Sequence, residues 1–93
     1  MTADELFRES FVLLEVNDEF TEAVVGMRDG SRLCFCHRVG ERWARAVGDH
    51  EAALSGRVLP LIARFRLNPR HLDVHFHDGS RWEALFGDPG KAL

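Results

Sequence analysis

The sequence predicts an α+β domain of two layers: an antiparallel sheet of about five strands, in the order β-β-β-α-β-β, with one main helix packed on one face. Three observations carry this expectation. The tetrad Asp-Gly-Ser-Arg occurs twice, at 29–32 and 78–81, each time between runs of alternating apolar residues. An Asp-Gly pair in that setting is the strongest short-range hairpin signal, because Gly takes positive φ without a Cβ clash. Between the two hairpins, Leu54, Val58, Leu61, Ile62 and Phe65 fall within one ~100° stripe at the helical period. Finally, 93 residues suit a single domain, 1–93, around one core.

The elements follow in order. Residues 1–9 are expected to be flexible. Residues 10–16, Ser-Phe-Val-Leu-Leu-Glu-Val, are rich in β formers, and Asn17-Asp18-Glu19 turns the chain into a second strand from about Phe20 to Arg28. A three-residue loop with Gly30 in the left-handed region pairs Met27 with Ser31, Val25 with Leu33 and Ala23 with Phe35. That register gathers the large apolar groups on one face, whereas a slip of one residue would invert every side chain. The same loop in the second hairpin pairs Phe76 with Ser80 and Val74 with Trp82, and sets Asp73 opposite Glu83. Residues 40–48 fit either an extension of the third strand past a bulge or a short helix. From Asp49 a helix is expected, with Asp49 as N-cap and Glu51 in the first turn. Pro60 points away from the apolar stripe, and Asn68-Pro69 stops the helix. The tail, 87–93, is turn-rich and expected to be flexible. Beyond the repeated tetrad there is no evident internal repeat, low-complexity segment or linker.

Composition narrows the class. The longest apolar run is too short to span a bilayer, and the start, Met-Thr-Ala-Asp-Glu, lacks the basic region of a signal peptide. A cytoplasmic protein without a membrane partner is the expectation. Cys34 and Cys36 are the only cysteines. On a strand their Cα atoms lie ~6.6 Å apart, near the limit for a disulfide, so reduced thiols are expected. The net charge of −3 is uneven. Residues 1–22 hold seven acids against Arg8, whereas residues 23–72 hold nine arginines against Asp29, Glu41, Asp49 and Glu51. Neighbouring acidic and basic segments that neutralise one another are the simplest reading. A pI near 5.9 lacks the electrostatic footprint of a nucleic-acid binder and argues against that partner.

Candidate chemistry is sparse. Cys34 and Cys36, with His75 and His77, point to the side of their strands opposite the core; if those strands were neighbours, two thiolates and two imidazoles would make a tetrahedral zinc or redox site. The spacing is not that of a zinc finger, and no metal or cofactor is expected. Mid-strand thiols lack the helix N-terminus or paired imidazole that activates a nucleophile. No Gly-rich phosphate loop is present, so no catalytic residue is assigned and an enzyme is not expected. The acid-free stretch 52–72 carries Arg57, Arg64, Arg66 and Arg70, an arginine-rich helix that would suit an anionic partner such as nucleic acid. The run Phe11-Val12-Leu13-Leu14 makes both faces of the first strand apolar, which calls for cover on both. Leu6 and Phe7 folding back, Trp43 from the following loop, or a second copy of the chain would supply it. The leading expectation is a non-enzymatic protein-association domain that forms a homodimer through Val12 and Leu14. The anion-binding module and the zinc or redox site are the alternatives.

Overall fold

The computed structural model describes residues 1–48 and 53–85. The expected N-cap Asp49, with Glu51, and the turn-rich tail from Gly87 lie outside the described residues. The described order is α1 (Ala3–Ser10), β1 (Phe11–Val16), β2 (Glu22–Met27), β3 (Arg32–Arg38), β4 (Glu41–Val47), α2 (Leu54–Val58), a 3-10 turn (Leu59–Leu61), β5 (Ile62–Leu67), β6 (His71–Phe76) and β7 (Arg81–Leu85). The fold is α+β, but its strands divide into two antiparallel sheets, β1-β2-β3-β4 and β5-β6-β7, rather than one sheet of about five. Among the described residues, no helix is long and apolar enough to cross a membrane.

Both hairpins close as their sequences require. Met27 and Phe76 donate to the carbonyls of Ser31 and Ser80, and the ladders pair Val25 with Leu33 and Val74 with Trp82. Gly30 and Gly79 both sit at φ +88°, a conformation that a β-branched residue adopts only under strain. A third hairpin joins β3 to β4 through Val39-Gly40, with Gly40 at φ +82°. Residues 41–47 are therefore strand, but a separate one that reverses through a tight turn, not an extension of the third strand past a bulge.

The long helix is the main correction. Helix ends at Val58, the 3-10 turn takes up Pro60, and residues 62–67 are strand. Pro60 has no N–H to continue an α-helix. Beyond it, Phe65 and Leu67 alternate inward against exposed Arg64 and Arg66, which is the period of a strand. The helical stripe was real at Leu54 and Val58, both buried, and coincidental further on.

The second correction is the N-terminus, which forms α1 rather than a flexible arm. Asp4 and Glu5 lie in its first turn and Arg8 in its last, the favourable sense for the helix dipole. Its cap arrives from the far end of the chain: Ala3 N–H donates to Asp78 Oδ2 at 2.8 Å, and Asp4 N–H to Ser80 Oγ at 3.1 Å. The first tetrad does the same for the other helix, with Leu54 N–H on Asp29 Oδ2 at 2.7 Å and Ser55 N–H on Ser31 Oγ at 3.1 Å. Each turn thus caps the helix of the opposite half.

That reciprocity belongs to a wider structural repeat. Adding 51 to α1 and β1 gives 54–61 and 62–67, which are α2 with its 3-10 turn, and β5; adding 49 to β2 gives 71–76, which is β6. A bulge recurs at the same place, with Val12 the extra residue in β1 and Ala63 in β5. The loop asparagine recurs as well: Asn17 Oδ1 accepts from Thr21 and Glu22, and Asn68 Oδ1 from Arg70 and His71. Outside the tetrad, Asn17/Asn68 and Val25/Val74 are the identical pairs, which is why the sequence showed no repeat beyond the turns.

One core joins the halves. Ala23, Val25, Met27, Leu33 and Phe35 face it from the four-stranded sheet, and Phe65, Leu67, Leu72, Val74, Phe76 and Trp82 from the three-stranded one. Phe7 of α1 is fully buried, with ring centroids 4.5 Å from Trp82 and 5.8 Å from Phe76. Tilted aromatic pairs at these distances add about 0.5–1.5 kcal/mol each beyond area burial.

Candidate anion-binding cleft between the sheets

The edge strands β4 and β5 flank the line along which the two sheets meet. His37, at the end of β3, ties that line: its Nδ1–H donates to the carbonyl of Leu67 at 3.0 Å. Below it the Phe35 and Phe65 rings meet edge-on at 5.0 Å, and the Arg42 guanidinium lies over Phe65 at 5.1 Å. A cleft of about 580 Å³ opens here, lined by His37, Arg42, Arg64, Phe65, Arg66, Asp73, His75 and Arg81. A second hollow of about 430 Å³ shares Arg42, Arg64 and Phe65 with it and runs along β4 to Trp43.

Local sequence explains the convergence. Alternation on β5 turns Arg64 and Arg66 to the side opposite Phe65 and Leu67. The ladders then set Arg64 across from His75, Arg66 across from Asp73, and His75 across from Arg81. Among the described residues, Asp73 is the sole carboxylate lining the larger cleft. It accepts from Arg81 Nε at 2.6 Å and from His75 Nε2 at 3.0 Å. Burial pushes the Asp73 carboxyl up, but the hydrogen bonds and charges of Arg81 and His75 outweigh it and hold the group below its ordinary value. Arg81 also reaches Glu83 at 2.9 Å. The like-charge pairing of Asp73 with Glu83 is therefore bridged by an arginine rather than left as a penalty. Among the described residues, Arg64 and Arg66 have no carboxylate partner.

Of the four candidate arginines, the structure gathers Arg64 and Arg66 in the cleft, although on a strand. Arg57 lines a separate, more apolar hollow of about 520 Å³ with Leu6 and Leu61, and Arg70 is exposed in the loop between β5 and β6. Arg42 and Arg81 are not singled out by the sequence, and Trp43 only as cover for the first strand, whereas it lies on β4, the edge opposite β1. Arg81 was within reach, because the hairpin register that pairs Val74 with Trp82 also pairs His75 with Arg81. Arg42 and Trp43 required residues 40–48 to be resolved as strand.

The thiol-imidazole set does not share one sheet. Cys34 and Cys36 are on β3, half-buried and buried respectively, whereas His75 is on β6 and His77 in the turn after it. The adjacency that a site on all four would need is absent, because the crossover starts a new sheet. Among the described residues, the one His/Cys/Asp/Glu group of three with ligand atoms close together is His71, Asp73 and Glu83, all within 4.8 Å. Arg81 already occupies both of its carboxylates.

The interface candidates also separate. Val12 is the bulged residue and is 60% exposed; the bulge shifts the alternation, so Leu14 pairs with Val25 on the core face and is half-buried. Leu13, 51% exposed, takes the outward place. Phe11 packs on Trp82 at 5.2 Å between centroids.

No family model, curated protein or solved structure matches the chain significantly.

Proposed function

We propose that the protein is a non-enzymatic binding domain that holds an anionic partner in the arginine-lined cleft between its sheets. The supporting observation is the meeting of Arg42, Arg64, Arg66 and Arg81 around one concavity, with Asp73 as the only carboxylate in its lining among the described residues. Guanidinium groups present planar forks that match oxyanions, and a concave wall of low dielectric strengthens them. Asp73 serves as a fixture: it orients Arg81 and His75 and leaves Arg64 and Arg66 for the ligand.

Inorganic polyphosphate is a suitable first probe. The wild-type protein should bind it with an affinity that falls as salt rises. Arg64→Ala/Arg66→Ala should weaken binding at least tenfold. Arg57→Ala/Arg70→Ala removes the same charge away from the cleft and should change it little. Equal losses in the two double variants would show that net charge, not the cleft, does the binding.

Self-association is a second reading, favoured by a different observation. Val12 and Leu13 lie exposed on β1, an edge strand of the four-stranded sheet. An apolar edge is a template for another strand, and a second copy of the chain offers one.

A further inference from the structure

We propose that the anionic partner is an extended acidic peptide that pairs with the open edge of β4 as a fifth strand of the four-stranded sheet; the proposal rests on the anion-binding reading and names its partner. The ladder shows which backbone groups are open. His37 N–H donates to the carbonyl of Thr21, so Phe35 and His37 bond toward β2, and Cys36 and Arg38 bond toward Trp43 and Glu41 of β4. The N–H and C=O of Arg42 and Ala44 therefore point away from the sheet, and among the described residues no backbone bond meets them. β4 runs Glu41–Val47 without a bulge or a proline, whereas the other edge, β1, is broken by its bulge at Val12. Beside β4 lies the hollow of about 430 Å³, walled on its far side by Leu59, Ile62, Ala63 and Arg64. The edge thus faces a groove rather than a neighbouring strand.

Side chains on β4 alternate: Arg42 and Ala44 take the core side of the sheet, Trp43 and Arg45 the outer side. Arg42 lies over Phe65 at 5.1 Å and Arg45 over Trp43 at 5.3 Å. Among the described residues, neither arginine has a carboxylate partner. A strand added here sets one residue opposite each position of β4. An acid suits Arg42, with Arg64 on the same hollow, and a second acid suits Arg45. An apolar side chain suits Trp43, which is 38% exposed, and a small one suits Ala44. Peptide addition at a sheet edge works in this way, main-chain bonds giving affinity and alternate side chains giving specificity. Phosphate chains supply acceptors alone and leave the edge carbonyls unmet. The β1 strand of a second copy is a poorer match, because Glu15 is its single acid and its bulge interrupts the edge.

The test titrates a labelled, end-blocked peptide, Glu-Val-Ala-Glu-Val-Ala-Glu, against the full chain by anisotropy, beside two versions N-methylated at alternate residues. Only one alternate set of N–H groups can face β4. Methylating that set should weaken binding about tenfold or more, as the loss of two or more hydrogen bonds would, and methylating the other set should change it little. Ala44→Pro removes an edge N–H that the ladder to β3 does not use. It should weaken the peptide about tenfold and leave polyphosphate binding unchanged, which also reports an intact fold. Arg45→Ala should do the same, because Arg45 lines neither hollow. Equal effects of the two methylated sets would overturn strand pairing. So would a peptide that fails to bind while polyphosphate binds, and in either case the anion-binding reading stands. Self-association of the free chain that Ala44→Pro abolishes would make a second copy the occupant and replace the peptide. No binding of either probe would remove both readings.

Discussion

Asp78 shows how much one side chain settles. Its Oδ1 accepts from the Ser80 N–H at 2.9 Å and the Ser80 hydroxyl at 2.5 Å, and its Oδ2 from Ala3 N–H at 2.8 Å. The Ser80 hydroxyl and then the Ala3 N–H favour the charged form and hold the carboxyl below its ordinary range. A carboxyl with a lowered folded value contributes stability above its unfolded value, near 3.9, and loses it as pH falls through the folded value. Asp78→Asn should therefore melt earlier than wild type at pH 7. It should also lose less stability than wild type between pH 5 and pH 2, as read from thermal midpoints across that window. Identical pH profiles for the two proteins would refute the role. The turn itself was legible, because Asp-Gly announces a hairpin. The cap was not: Asp78 and Ala3 are 75 positions apart, and nothing local ties them.

The element that misled is the segment 54–67. Its apolar residues satisfy a helical stripe, and periodicity cannot separate one turn of helix followed by a strand from a longer helix when the apolar positions coincide. Pro60 is the deciding residue, because without an N–H it ends the helix in a 3-10 turn. The mistake moved Arg64 and Arg66 from a helix flank to the outer side of a strand, where they meet Asp73 and His75 across the ladder. Phe65 is buried under either reading, yet its neighbours differ. On the strand it meets Phe35 and Arg42, so it roofs the core and floors the cleft together. Phe65→Ala should destabilise the fold by about 3–5 kcal/mol, and a variant that stays folded in the cold should also bind polyphosphate more weakly. Chemical denaturation beside the binding titration checks both. An unshifted midpoint would contradict the packing.

At the scale of the molecule, the sequence yielded the class, the three-residue turns, the hairpin registers and most of the core, all of which depend on local pattern. It withheld the division into two sheets and the cleft between them, because these arise where β4 and β5 meet across a crossover. The exposed edge of β1 was anticipated in kind, though the bulge at Val12 exchanged Leu14 for Leu13. If the edge recruits a second copy, sedimentation at tens of micromolar should give about twice the 10.6 kDa chain mass, and Val12→Lys/Leu13→Lys should return a folded monomer. A wild-type protein that stays monomeric at millimolar concentration would remove the self-association reading.

The crossed caps also govern how the chain comes apart. Neither half holds the acceptors for its own helix: Asp29 and Ser31 serve Leu54 and Ser55, while Asp78 and Ser80 serve Ala3 and Asp4. A chain severed between β4 and α2 would yield two fragments, each with a turn that has lost its helix and a helix that has lost its turn. Separately they should be largely unstructured, and mixed in equal amounts they should reassemble. On that account the smallest folding unit is the pair, and unfolding should register as a single transition by two different probes.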